Sequence, residues 1–203
     1  MSEDVKNQDD ARCQILRHAV ELFSHYGYRK TNIGDIAKAC CMSPGNLYRH
    51  FRNKQDIGEE AVREYMASEE ADMAAIVQDT SLNYEARLRA FHHRCVKGLM
   101  DKLSCNPKMV ELAEMIIQGN SGILTRHVEW KREQVAAMLR EGIEAGEISG
   151  DPEKLAFTLY DMTKAFLAPP LLAQADFATV PDRLDDVLDL ALGGMRIARQ
   201  HAV

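Results

Sequence analysis

The residues best suited to recognition chemistry are Asn46, Tyr48, Arg49, His50 and Lys54, a mix of hydrogen-bonding, aromatic and cationic side chains within nine positions. Carried by one short helix and the cap after it, they form an inventory for gripping phosphates and touching base edges. The charge agrees. From Tyr28 to Lys54 there are six Lys or Arg and one acid, a local plus five, in a chain whose net charge is −6. Positions 55–203 hold sixteen bases against twenty-five acids. A basic module is therefore joined to an acidic body.

Three other constellations hint at metal or acid–base chemistry: His92-His93-x-Cys95, His127-x-Glu129 and Glu111-x-x-Glu114. None supplies a complete ligand set, and the Glu-x-x-His spacing of helical di-iron sites is absent from the segments that follow the basic module. Surface or packing roles are expected for them, with no metal and no cofactor. Trp130, the single tryptophan, with Met115, Met138, Met162 and Phe166, can line an effector cavity among the later helices. Aromatic and Met positions at helical spacing serve equally as plain core.

The basic module must be positioned by helices, and three start signals fall between Thr31 and Lys54. Asn32 caps one helix with Asp35 three positions on, Ser43 caps another with Pro44 in its first turn, and Asn53 caps a third with Asp56 answering. Ile36, Ala37 and Cys40 give the first helix an apolar face; Leu47 and Phe51, four apart, give the second its own. Before them, Ile15, Leu16, Ala19, Val20 and Phe23 recur at helical period over about 9–26, and Gly27 stands where a left-handed stop belongs. This first helix is the floor on which the next two, about 33–40 and 44–51, pack.

Taken together, Ala19-Val20-Glu21-Leu22-Phe23 with Tyr26-Gly27-Tyr28, then Thr31, Asp35-Ile36-Ala37, Ser43-Pro44-Gly45-Asn46-Leu47-Tyr48-Arg49-His50-Phe51 and Asn53-Lys54, resemble the N-terminal helix-turn-helix domain of TetR-family transcriptional regulators. The match is dense over about 10–65. The resemblance implies that Ser43, Pro44, Gly45 and Asn46 meet base edges, and that Thr31, Tyr48, His50 and Lys54 contact the DNA backbone. Lys54, near a helix start, can hold a phosphate with help from free backbone N–H groups. Members of that family commonly have Gly where this chain has Cys41; if the turn needs positive φ there, a Cβ costs about 1–2 kcal/mol.

The remaining chain is helical in pattern: about 54–78, 84–103, 107–118, 123–145, 151–168 and 181–199, with stops at Asn106-Pro107, Gly119–Gly122, Gly146–Pro152 and Pro169-Pro170. No strand alternation, phosphate loop or internal repeat is present. The expected fold is all-α with about nine helices. An N-terminal helix-turn-helix domain would occupy residues 1–54, with the motif at about 32–51 and the family pattern reaching about 69; residues 55–203 would form an effector-binding and dimerisation domain. In the last two helices, Leu159, Met162 and Phe166 make one stripe and Phe157, Tyr160, Thr163 and Leu167 another; Val187, Leu188, Ala191, Leu192 and Met195 make a third, with Leu190 and Ile197 off its line. Helices apolar on more than one face need cover on more than one side, which a second subunit supplies.

Five cysteines form no even framework and no CxxC pair, so buried reduced thiols are expected. No run approaches the roughly eighteen apolar residues of a membrane helix, and Met1–Asp10 is polar and acidic where a secretion signal is basic then apolar, so a cytoplasmic protein is expected. The expected function is a ligand-responsive repressor, not an enzyme, that binds a palindromic DNA operator as a homodimer through its last two helices and responds to a small-molecule effector. The alternatives are a helical enzyme or cofactor carrier, and an architectural DNA-binding protein without an effector.

Overall fold

The computed structural model describes residues 3–119 and 122–196, with side chains from residue 10 onward. Within them are ten α-helices: α1 (Glu3–Tyr26), α2 (Ile33–Ala39), α3 (Pro44–Leu47), α4 (Lys54–Val77), α5 (Tyr84–Cys105), α6 (Met109–Gly119), α7 (Ile123–Glu144), α8 (Pro152–Thr163), α9 (Pro169–Leu172) and α10 (Val180–Met195). Among the described residues the only extended pairing is an isolated antiparallel bridge between Ile148 and Arg196. No described helix is long and apolar enough to cross a membrane. The chain divides into two compact units, one of residues 1–68 and 102–124, the other of 69–101 and 125–203.

In the first unit, Ile15, Ala19 and Phe23 of α1 are fully buried against Ile36, Leu47 and Ile57, one from each of the next three helices. The caps are local and strong. Asn32 accepts from the Asp35 amide while Asp35 accepts from the Asn32 amide, both at 3.0 Å, which closes a capping box. Ser43 Oγ accepts from Asn46, and Asn53 Oδ1 from Asp56, but Asp56 answers to the amide of Arg52 instead of Asn53. Gly27 ends α1 at φ 92, and a Cβ there would meet the Glu111 carboxylate at 2.8 Å. The positive φ is what favours glycine here, since the Glu111 side chain can shift away from a Cβ.

Three boundaries differ from the sequence expectation. α1 begins at Glu3 instead of near Asp9. The α-helical part of the second motif helix stops at Leu47 instead of Phe51. Beyond it, Arg49 donates to Asn46 and His50 to Leu47, the tighter i to i−3 pattern that often closes a helix. The segment expected to run to 168 leaves α-geometry at Thr163 and continues as a 3-10 turn, Lys164–Leu167. Pro169-Pro170 then opens α9 where a break alone was expected, because proline in a first turn forfeits no intrahelical bond.

The second unit is held by Leu88, Met138, Leu139, Leu159, Leu184 and Leu188, all fully buried. Arg87, buried in α5, pairs with Glu141 of α7 and donates to the Val77 carbonyl at 2.7 Å. His92, also on α5, is buried with its Nδ1 donating to the Leu88 carbonyl at 2.8 Å. Burial pushes its pKa down to about 4. All five cysteines are free thiols, but only Cys40 and Cys95 are buried; Cys13, Cys41 and Cys105 are exposed, which corrects the expectation of buried thiols.

Cys41 is the only described non-glycine residue at positive φ, at 54°, the left-handed conformation that the family comparison anticipates for this turn. Since its side chain is exposed, Cys41→Gly loses no packing. Relief of the Cβ strain, less the extra unfolded-state entropy of glycine, should raise unfolding free energy by about 1 kcal/mol, with Cys41→Ala near zero as the control, read by urea titration. For His92 the folded pKa lies below the unfolded value, so its neutral form contributes full stability above about pH 6.5, and that contribution falls as pH drops toward about 4. The stability advantage of wild type over His92→Gln should therefore shrink by about 3 kcal/mol between pH 7 and pH 4. A gap independent of pH would mean that His92 is not held neutral in the fold.

Candidate nucleic-acid interface

The basic module is built from the first unit's core outward. Leu47 and Phe51 point inward, so the intervening residues of α3 and its closing turn face away. Ser43, Pro44, Gly45, Tyr48 and Arg49 are exposed; Asn46 and His50 are half-buried. Tyr48 leaves half its surface in solvent, at 54%. A Cβ added to Gly45 would meet nothing closer than Ser43 Oγ at 3.9 Å, so the start of α3 is an open, low-relief surface. The turn after α3 is pinned from beneath: Arg12 of α1 donates to the His50 carbonyl at 2.7 Å, and its guanidinium lies 4.3 Å over the Phe51 ring.

Two residues expected at the DNA backbone are engaged elsewhere. Thr31 is buried, and its hydroxyl donates to the Gly27 carbonyl at 2.9 Å, so its side chain fixes the loop after α1. Lys54, the first residue of α4, donates to the carbonyls of Tyr28 at 2.8 Å and Thr31 at 2.9 Å, with Arg29 at 3.5 Å, and its Nζ sits 4.3 Å over the Tyr28 ring. Burial lowers its pKa from the ordinary lysine value, with Glu111 opposing. Both positions act on the shape of the 27–31 loop.

The module's charges separate into held and free. Arg52 forms an ion pair with Asp56 at 2.7 Å, and its hydrogen bond depresses the Asp56 carboxyl below the usual range. Arg29 is clamped by α6: its amide donates to Glu111 and its guanidinium to Glu114, each at 2.9 Å, while Lys108 donates to the His25 carbonyl. These are the tasks of Glu111 and Glu114, and neither is metal chemistry. Among the described residues, Lys30, Lys38 and Arg49 have no carboxylate partner and are exposed. Lys38 and Arg12 carry no motif signature; only the local charge count points to the former.

The five residues expected at an effector are distributed over both units. Met115 belongs to the first unit, where α6 packs so closely that a Cβ on Gly58 would lie 2.8 Å from the Met115 methyl. In the second unit Met138 is fully buried, Phe166 is buried beneath the Arg183 guanidinium, and Met162, expected in an apolar stripe, is 40% exposed because it faces outward from α8. Trp130 stacks on His127 with centroids 6.4 Å apart and lies 6.3 Å from Phe91. His127 bonds to Glu70 at 2.7 Å, not to Glu129, and the Cys95 thiol contacts Met73 sulfur at 2.9 Å.

Comparison with known proteins gives these elements a family. The profile of bacterial regulatory proteins of the tetR family matches residues 15–61, and that of the tetracyclin repressor-like C-terminal domain matches 85–188. The transcriptional regulator AcuR of Cereibacter sphaeroides is 28% identical over 156 residues, spanning 72% of this chain and 69% of that protein. The HTH-type transcriptional repressor DhaR of a Mycobacterium species is 25% identical over 154 residues, spanning 72% and 77%. A TetR-family transcriptional regulator from Pectobacterium atrosepticum has the same fold, with a TM-score of 0.68 at 19% identity over 98% of this chain and 99% of that one. With the helix-turn-helix profile over the exposed basic module and the C-terminal profile over the helices beyond it, the chain belongs to the TetR family and is a DNA-binding transcription regulator, not an enzyme.

Proposed function

We propose that the protein is a ligand-responsive repressor that binds a palindromic operator as a homodimer in the cytoplasm, with residues 1–54 meeting DNA and 55–203 serving dimerisation and effector binding. The observation that carries this reading is the exposed surface from Ser43 to Arg49, left open by a fully packed core and accompanied by the unpaired cations Lys30 and Lys38. Ser43, Pro44, Gly45 and Asn46 approach base edges; Tyr48, Arg49 and His50 contact the sugar-phosphate backbone. Thr31 and Lys54 contribute by shaping the loop that presents Lys30. The sign of regulation follows the Mycobacterium relative that is named a repressor.

Dimerisation is supported by what α8 and α10 leave uncovered. Phe157 and Met162 on α8 are 48% and 40% exposed, and Leu190 on α10 is 74% exposed. Beside Leu190, Gly193 and Gly194 have no neighbour within 4 Å of an added Cβ, so a second helix can approach that backbone closely. Ile197, the other residue off the α10 stripe, lies outside the described residues. Two copies of a four-residue α3, set about 34–36 Å apart, give the specificity that one lacks. An effector then acts by favouring a dimer geometry that fits only one half-site at a time, to the extent of its differential affinity for the two states.

Selection of bound genomic fragments should recover a palindrome, and repression should be relieved by a compound that also lowers operator affinity; a tight ligand that leaves operator affinity unchanged refutes the switch. Arg49→Ala should weaken binding to all duplexes and reduce the salt slope by about one, whereas Asn46→Ala should reorder the ranking of operator sequences. Leu190→Glu places two carboxylates at the proposed twofold axis. Sedimentation should show a monomer with cooperative operator binding lost, and an unchanged dimer would move the interface elsewhere.

A further inference from the structure

We propose that the space enclosed by α5, α7 and α8 in the second unit binds a small organic monoanion, a short carboxylic acid, with Lys131 and Arg132 as its counter-charges. This deepens, and rests on, the reading of the C-terminal helices as an effector-binding domain.

The space is walled by Phe91, His92 and Cys95 of α5, Lys131, Arg132 and Val135 of α7, Ala156, Tyr160 and Thr163 of α8, and Leu167 just after it. Its volume is about 20 Å³, room for about one water. Three polar groups of the wall are already satisfied: His92 bonds to the Leu88 carbonyl, Thr163 to the Leu159 carbonyl at 2.8 Å, and Cys95 to Met73. Donors are left over. Arg132 Nε is buried without a hydrogen-bond partner, and its guanidinium is placed 4.5 Å over the Phe157 ring instead of against a carboxylate.

Lys131 has no carboxylate within ion-pair distance among the described residues, and it lies close enough to disfavour protonation of both His92 and His127. No acid lines this space. Glu129, Glu133 and Glu153 line a neighbouring groove of about 340 Å³ that shares Arg132 and Ala156 with this space; there Arg140 pairs with Glu153 at 2.7 Å and none of the three pairs with Arg132. Glu70 is bound to His127. A partly buried pair of cations without carboxylate partners, one of them with an unmet N–H of its own, calls for an acceptor-only group with negative charge, which a carboxylate supplies in two-oxygen form. Phe91, Val135, Ala156 and Leu167 provide apolar cover for a short alkyl or aryl group.

Any such acid is larger than the space, so its entry must displace side chains of α8 where that helix passes into the 3-10 turn of Lys164–Leu167. Binding is thereby tied to a rearrangement of the helix that also carries Phe157 and Met162. Only ligands that hold the rearranged packing shift the population.

The test uses the full chain and Trp130, adjacent to Phe91, as a fluorescent reporter, with calorimetry alongside. Butyrate, hexanoate and benzoate are compared with butyramide, hexanamide, benzamide and benzylamine. At least one acid should bind tenfold or more tightly than its amide, and Lys131→Met and Arg132→Met should each reduce that affinity tenfold or more while thermal melting and ligand-free operator binding stay at wild-type levels. If amides or the amine bind as tightly as the acids, if acid affinity is unchanged in the double variant, or if no acid binds, the proposal is overturned. An acid that binds with the expected dependence on Lys131 and Arg132 but leaves operator affinity unchanged would keep the site and overturn the effector reading instead.

Discussion

The presentation of the basic module depends on a single ammonium group. Lys54 donates to the carbonyls of Tyr28 and Thr31 and lies over the Tyr28 ring, so the first residue of α4 fastens the loop that links α1 to α2. Those carbonyls belong to the loop between α1 and α2, where no helical ladder satisfies them. A cation on a long flexible stem answers several at once, and the aromatic face beneath it limits where it can settle. The same loop holds Gly27 at positive φ and buries Thr31, whose hydroxyl closes back on Gly27. Remove the ammonium and the loop loses its common partner, while α2 and α3 keep their apolar contacts with α1 and the Arg12 bond to the His50 carbonyl.

The second constraint on that loop comes from α6. Glu111 and Glu114 take the amide and the guanidinium of Arg29, and Lys108 donates to one carbonyl in the last turn of α1, that of His25. Arg29 and Glu114 are both substantially exposed, so their pairing contributes at most about 1 kcal/mol and can be exchanged for a phosphate without disturbing the fold. The fixed part of the contact is steric. Gly58 and Gly27 leave room for the Met115 methyl and the Glu111 carboxylate of α6, each 2.8 Å from where a Cβ would stand, so a shift of α6 changes what surrounds the loop.

The sequence discloses this architecture unevenly, and the division follows the range of the interactions. Capping by Asn32, Ser43 and Asn53 is settled within three residues, and the apolar spacing of Ile36, Leu47 and Phe51 within one turn, so both can be read from order alone. The left-handed turn at Cys41 is visible through the family pattern even though the residue itself argues against it. What cannot be read locally is partnership across long separations. Lys54 looks like a phosphate ligand until Tyr28 and Thr31, more than twenty positions earlier, are placed around it, and Glu111 with Glu114 resembles a paired-acid motif until Arg29 lies between them. Met162 illustrates a related limit: a helical period groups residues by angle but does not say which angle faces inward.

Charge ties the two scales together. In the basic module, Arg52 is neutralised by Asp56, Arg29 by α6, and Lys54 by carbonyls, so of six cations only Lys30, Lys38 and Arg49 face solvent without a carboxylate. Three free charges and a four-residue helix are a small set of contacts for one protomer, since each phosphate neutralised adds only about one unit of salt dependence. In the proposed homodimer, doubling the set through a twofold axis would raise affinity without adding a contact type, because the second engagement would occur at the high effective concentration set by the first. The spacing of the two heads would then be the variable on which binding turns, and small changes in helix packing would suffice to alter it.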